Sequence, residues 1–552
     1  MTITTHIEGR RERVGRFVMA RGHVVGWLVA LVAVAVLMIW PSVRLLGVAG
    51  EDGLDAALMA LGGVSARAVI DTLAVSLAVA LLSVAGGTLV ALAIERLPSG
   101  RRQRVRWAML LPLLTPPFVT ALGWVRAYGP SALLDDAIGF RLPGLFGMPG
   151  IVAVLTVSAV PLAYLVIAAG LATRAEPDAV RAARVHGASA LGAFRTVTLP
   201  LLRPSLLAAT ILVFVTSINA FGVPAVLGIP AGFTTITTRI YRDLAFSADP
   251  VAFQRVVVLA GLLVVIALLL VVPTDYLARG RARTGGNSGT TIAAARSSLL
   301  TLGLLLYVAV AAVVPLVALV LTAITRGVGM PPTPQNWTLD NFSEAVSGRT
   351  GPALFNTVLL ALVAATAVVA LGSLAAWLAG RSRGRFLASA VTIGFALPGS
   401  AVALGVILAY GGWLRDTLAI ILICYLAKFW MLGLRPISGA ADRLPADLVR
   451  AARVSGASAL VALRTIVAPI LRPALGAAWL IVFLFALHEL TMSSLLHGPG
   501  TATLAVVILD LQQLGDPTVT SALAVLLTLG VLLVAVPVRL SRSLARQLPG
   551  WE

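Results

Sequence analysis

Residues Asp178–Pro204 read DAVRAARVHGASALGAFRTVTLPLLRP, and residues Asp447–Pro473 read DLVRAARVSGASALVALRTIVAPILRP. The two align at an offset of 269 residues, with 19 of 27 positions identical. Self-similarity at so long a period marks a duplicated structural unit. The first copy reads as a short amphipathic helix over Asp178–Ala190. Asp178 places negative charge where the free amides of a helix N-terminus accept it. Gly187 ends or bends the helix, and Pro200 and Pro204 fix the exit into the segment that follows. A helix lying on lipid headgroups need only keep its two faces. Copying the small residues, the glycine and the prolines into both halves favours a projecting handle that fits a protein socket.

Outward from the repeat the chain is apolar. Of its 552 residues 59% are hydrophobic and 12% charged, with mean hydropathy +0.97. A soluble chain of ordinary composition is about one quarter charged. A membrane-spanning helix needs roughly 20 apolar residues. Such windows occur at 23–41, 68–94, 107–128, 149–171, 206–227 and 255–275, then at 298–324, 353–379, 387–410, 415–434, 474–495 and 518–538. The predicted fold class is therefore an all-α polytopic membrane protein with about 12 transmembrane helices in two parallel-repeat halves of six. The predicted organisation is a tail at 1–22, a first half at 23–275 with its repeated loop at 172–205, and a polar, Gly-rich linker at 276–297. A second half follows at 298–538 with its loop at 435–473, then a tail at 539–552. A weaker echo joins Ile70–Gly87 to Phe355–Gly372, which pairs Asp71 with Asn356.

Charge orients this array. Arg101, Arg102, Arg104 and Arg106, then Arg381, Arg383 and Arg385, then Arg539, Arg542 and Arg546 fall in alternate loops. The positive-inside bias puts both termini and both repeated loops in the cytoplasm of a bacterial inner-membrane protein. Arg239 and Arg242, in the outside segment 228–254, run against it. The run Val24–Trp40 is longer than a signal-peptide core and lacks a clear cleavage site, so it reads as a first span.

The net charge of +19 does not imply nucleic acid, because the arginines sit at the ends of apolar windows and no aromatic-studded basic groove accompanies them. The single lysine, Lys428, lies in ICYLAKFW, without the Gly-rich turn a phosphate-binding loop needs. The chain is not its own P-loop ATPase; any ATPase is a separate subunit. Lys428 is expected to snorkel or pair near the cytoplasmic half of its span. One cysteine, Cys424, excludes an internal disulfide, and the five histidines have no zinc or haem spacing. No resident metal or other cofactor and no catalytic group is expected.

Both repeated loops resemble the EAA loop of binding-protein-dependent ABC importer permeases, whose pattern is roughly E-A-A, three residues, G, then F-x-x-I-x-L-P. The first copy has Arg181, Ala182, Ala183, Gly187, Phe194, Val197, Leu199 and Pro200. The second has Arg450, Ala451, Ala452, Gly456, Leu463, Ile466, Ala468 and Pro469. Arg replaces the first Glu in both copies, and the second lacks the Phe and the Leu. The fused two-half layout is similar to the ferric iron permease group, with thiamine, polyamine and 2-aminoethylphosphonate relatives. The resemblance implies that Arg181, Ala182, Ala183, Gly187 and Pro200, with Arg450, Ala451, Ala452, Gly456 and Pro469, couple the chain to two copies of an ABC ATPase. That partner uses ATP-Mg. It also implies an extracytoplasmic substrate-binding protein, because no outside loop here is large enough to serve as one.

Asn219, His488 and Glu489 are the candidate substrate-pathway residues. Asn219 and His488 share a repeat position, and Glu489 faces Ala220 in the alignment. Ionisable groups inside a span are costly and turn toward a bundle interior. A carboxylate with an imidazole suits a hard cation or its chelate in passing; pinning helices together is the competing role. A proton- or sodium-coupled transporter is the alternative class, but it calls for an acidic site in both halves and leaves the duplicated handle unexplained.

Overall fold

The computed structural model describes residues 24–51, 62–174, 177–249, 251–279, 298–379 and 384–545. The expected N-terminal tail, residues 546–552 of the expected C-terminal tail (Arg546 among them), most of the expected linker, Arg381 and Arg383 lie outside them. Among the described residues ten helices are long and apolar enough to cross a membrane, including Val24–Gly50, Ser65–Glu95, Met148–Ala172, Ser298–Ala323 and Leu418–Ala441. Two bent pairs bring the number of crossings to twelve if each is one span. The fold is all-α, with two homologous halves.

The bent pairs correct two of the expected spans. Where 107–128 and 387–410 read as single helices, Gly100–Leu114 meets Pro117–Ile138 at 94°, and Phe386–Ala396 meets Gly399–Leu414 at 104°. The cause is local. Thr115 and Leu397 each precede a proline, which disfavours helical backbone before it. Pro116 and Pro398 themselves take extended ψ of 133° and 139°.

Four wide π turns interrupt described spans, at Ala35–Ile39, Phe194–Thr198, Ala309–Val313 and Leu463–Val467. Each has a proline at the second residue beyond it: Pro41, Pro200, Pro315 and Pro469. A proline ring pushes away the carbonyl four residues back. The helix opens by one residue to absorb this, so the amide just before the proline reaches five residues back: Trp40 to Ala35, Leu199 to Phe194, Val314 to Ala309 and Ala468 to Leu463.

By packing, the chain divides into two compact units that do not follow chain order. The first unit comprises residues 1–51, 355–492 and 496–501, and so joins the first span to the core of the second half. Here the Tyr410 hydroxyl donates to the Val36 carbonyl, 2.6 Å away, inside a π turn. Gly405 lies so close to Pro41 that a Cβ would sit 2.8 Å from the proline carbonyl oxygen.

The second unit comprises residues 52–354, 493–495 and 502–552, and joins Ser298–Ala323 and the last helix to the core of the first half. The same device recurs. Tyr128 donates to the Val310 carbonyl at 2.8 Å, and Trp124 Nε1 to Ala311, the carbonyl displaced by Pro315, at 3.3 Å. Gly123 abuts Pro315 as Gly405 abuts Pro41. Buried Asp243 pairs with Arg239 at 2.9 Å and Arg255 at 3.3 Å, so one of the two arginines that run against the charge bias is neutralised within the fold. Arg102 and Arg106 of the first basic cluster hold Glu95 at 3.1 and 2.6 Å.

Candidate functional site

The repeated segments form near-identical handles. The helices are Pro177–Val185 and Ala446–Val454, shorter at the C-terminal end than the expected 178–190 because a glycine cap closes them. Gly187 and Gly456 adopt φ of +89° and +83°, a region open to glycine and strained for other residues. The Ala188 amide donates back to the Ala183 carbonyl at 3.0 Å, and Ala457 to Ala452 at 2.9 Å. With Gly187 donating to Arg184, the first cap is a Schellman motif. Ser189 then caps the next helix through the Gly192 amide at 3.0 Å, and Ser458 plays that part at Val461. Each handle folds back on the π turn that starts the fifth span of its half, ahead of Pro200 or Pro469.

The handles are solvent-facing. Val185 is 85% exposed and Val454 89%, although both are apolar. Ala182 and Ala451 are exposed, and Ala183 and Ala452 half-buried. Arg181 pairs with Asp178 at 3.1 Å and Arg450 with Asp447 at 3.5 Å, all four side chains being well exposed. Such pairs contribute little to stability, about 0–1 kcal/mol. The arginines at the EAA-glutamate position are thus held one turn from an aspartate and remain available.

The pathway candidates sit at helix breaks, not within helices. The expected spans 206–227 and 474–495 shift toward the N-terminus, to Ala190–Ile218 and Leu463–Leu487. Asn219 and His488 are the C-cap residues. A hydropathy window misses these breaks because apolar residues continue on both sides. Asn219 Oδ1 and His488 Nδ1 are both buried without a hydrogen-bond partner among the described residues. Glu489 has a local duty: its Oε1 accepts the Met492 amide at 2.8 Å, at the start of Thr491–Leu496. The structure describes these groups within separate units.

Of the two roles expected for Lys428, snorkelling or pairing, the structure shows pairing, with backbone carbonyls as the partners. Its ammonium donates to the Phe395 carbonyl at 2.7 Å and to the Leu397 carbonyl, and lies 5.2 Å from the Phe395 ring centre. It pairs with the backbone freed by the Leu397–Pro398 break rather than snorkelling to an interface. The break itself, a proline after an apolar run, was the available signal. Among the described residues no group of three or more His, Cys, Asp or Glu side chains is placed to hold a metal.

Both handles lie within stretches that match one family description. Residues 83–280 and again 368–546 match the binding-protein-dependent transport system inner membrane component. The chain belongs to this family. This inner membrane component is 26% identical over 428 residues to the ferric transport system permease protein FbpB of Actinobacillus pleuropneumoniae, covering 74% of the present chain and 61% of that relative. It is 26% identical over 475 residues to the probable ABC transporter permease protein y4fN of Sinorhizobium fredii, covering 79% and 81%. Over 224 residues it is 27% identical to the molybdenum transport system permease protein ModB of Escherichia coli, covering 40% of this chain and 96% of ModB. About two fifths of the present family member thus corresponds to nearly the whole of that shorter relative.

Proposed function

We propose that the chain is the permease subunit of an ATP-driven ABC importer, with both handles docked in sockets of two ATPase subunits. The observation that carries this reading is the handle itself: duplicated, exposed, apolar at Val185 and Val454, and closed by a left-handed glycine in both copies. Closure of the ATPase pair would pull on Pro177–Val185 and Ala446–Val454, and each handle adjoins the start of a fifth span. Orientation with both termini and both handles in the cytoplasm follows the arginine bias. An extracytoplasmic binding protein would present cargo on the other face. Asn219 and His488, with unpaired buried atoms, are the pathway residues this reading favours, with Glu489 beside them.

Ferric iron is the proposed cargo, on the strength of ferric-transport relatives matched over both halves. Other relatives are named for molybdenum and 2-aminoethylphosphonate, and these, with thiamine and polyamines, are the competing cargoes. Affinity measurements on the cognate binding protein decide among them. Tight binding of another cargo with none of ferric iron ends the iron assignment.

Docking is tested at the glycines. No atom lies within 4 Å of a Cβ built on Gly187 or Gly456, so a side chain there strains the backbone without a clash. Gly187→Val with Gly456→Val should cost about 1–3 kcal/mol at each cap, leave the chain in the membrane, and uncouple ATP hydrolysis from uptake in proteoliposomes. Unchanged coupled uptake removes the docking role.

A further inference from the structure

The second unit contains a cavity of about 710 Å³ that the handles and helix breaks do not explain. Its walls come from the end of Pro117–Tyr128, from the loop after Ser298–Ala323, and from the turn between Leu504–Leu514 and the last helix. With each bent pair counted as one crossing, these segments lie on the membrane face opposite the handles. The walls are mostly apolar, as at Val125, Leu321 and Met330.

One atom on each of two lining residues lacks a hydrogen-bond partner among the described residues. Arg126 Nε and Gln512 Oε1 are buried and accept or donate no hydrogen bond among the described residues. Burying such an atom unpaired is unfavourable, so it calls for a partner. One is a donor on a guanidinium, whose planar fork matches phosphate oxygens. The other is an acceptor that needs an N–H or O–H. Asp136 also lines the cavity. Asp516 acts electrostatically on Arg126 and stays ionised. Burial works against its charge, but bonds from the Thr518 hydroxyl and amide outweigh it and hold the carboxyl below its usual range. One cation and two carboxylates near one cavity favour a ligand carrying both signs over a simple anion.

We propose that this cavity binds a phosphoryl group bearing an ammonium on a short arm, with the phosphoryl oxygens on Arg126 and the ammonium donating to Gln512. The apolar walls take whatever hydrocarbon the ligand carries. Two sources share this chemistry: the headgroup of phosphatidylethanolamine, and a free aminoethyl phosphate. The arginine is not repeated in the other half. Alignment of Tyr128 with Tyr410 puts Leu408 at the position equivalent to Arg126.

The test uses the full chain in nanodiscs. Native mass spectrometry counts retained phosphatidylethanolamine, and calorimetry measures binding of free O-phosphoethanolamine. The variants are Arg126→Gln and Val328→Trp. Val328 lines the cavity yet is 56% exposed, so its variant blocks the space while keeping every polar group and decides the matter if Arg126→Gln fails to accumulate. Loss of about tenfold or more in affinity for either probe, in whichever variants accumulate, supports the site. The probe that responds names the source. Equal binding of both probes by wild type and Val328→Trp overturns it.

Discussion

At the scale of single residues, the polar groups within spans are employed at places where the backbone ladder is cut. Lys428 is the sharpest case, because it is the only lysine in the chain and sits on two carbonyls exposed by a break. A cation at a helix C-terminus also meets the negative end of the helix dipole. Lys428→Met keeps most of the volume and strands both carbonyls, at a cost of about 1–3 kcal/mol. The expected result is a lower thermal unfolding midpoint for the purified protein in detergent; an unchanged midpoint would sink the capping role. Glu489 is similar in kind, since it serves the Met492 amide. The candidate residues were legible as chemistry in the sequence, where an ionisable group among apolar neighbours stands out. Their duties were not, because a cap is defined by a break, and the breaks at Asn219 and His488 leave hydropathy unchanged. The handle was different. Its glycine and prolines are local signals with local consequences, and the repeat printed them twice.

At the scale of elements, proline and glycine act as a matched pair. Proline opens a π turn in a first span, and a glycine on the helix after a break lets that helix approach: Gly405 at Pro41, Gly123 at Pro315. A tyrosine five residues beyond each glycine, Tyr410 or Tyr128, then caps a carbonyl of the opened turn. Gly405→Leu would drive a Cβ to 2.8 Å from the Pro41 oxygen and 3.3 Å from its ring. Backbone cannot yield as a side-chain tip does, so overpacking of about 1–3 kcal/mol or more is expected. Membrane yield of folded protein should fall, while Gly412→Ala, with no atom within 4 Å of its Cβ, should not change it. Equal yields would show that the approach is not tight. Span number was readable because twenty apolar residues have few other uses in a chain with this little charge. The bends and wide turns were not, although every one lies within two residues of a proline. A proline states that the ladder is interrupted, and only its tertiary neighbours decide whether the result is a 104° corner or a one-residue bulge.

At the scale of the whole molecule, the two homologous halves and the two packed units are different divisions of one chain. The family matches fall at 83–280 and 368–546, one in each half, whereas each unit takes its core from one half and a first span from the other, the second unit adding the last helix of the second half. The repeat extends to those first spans, because Pro41 and Pro315 stand in the same relation to their π turns, their glycines and their tyrosines. A half expressed alone would expose its first span's π-turn carbonyls, Val36 in one case and Val310 in the other, to lipid instead of to a tyrosine hydroxyl. An unsatisfied carbonyl in hydrocarbon costs several kcal/mol. The halves should therefore need one another to fold but should not need the peptide bond between them. If the chain is cut within 280–297, which lies outside the described residues, and the two pieces carry different tags, both should be recovered in equal amounts from either tag after detergent extraction. Either piece expressed alone should be degraded or aggregate. Recovery of two stable, separate halves would mean that each first span packs on its own half, and the exchange described here would fall.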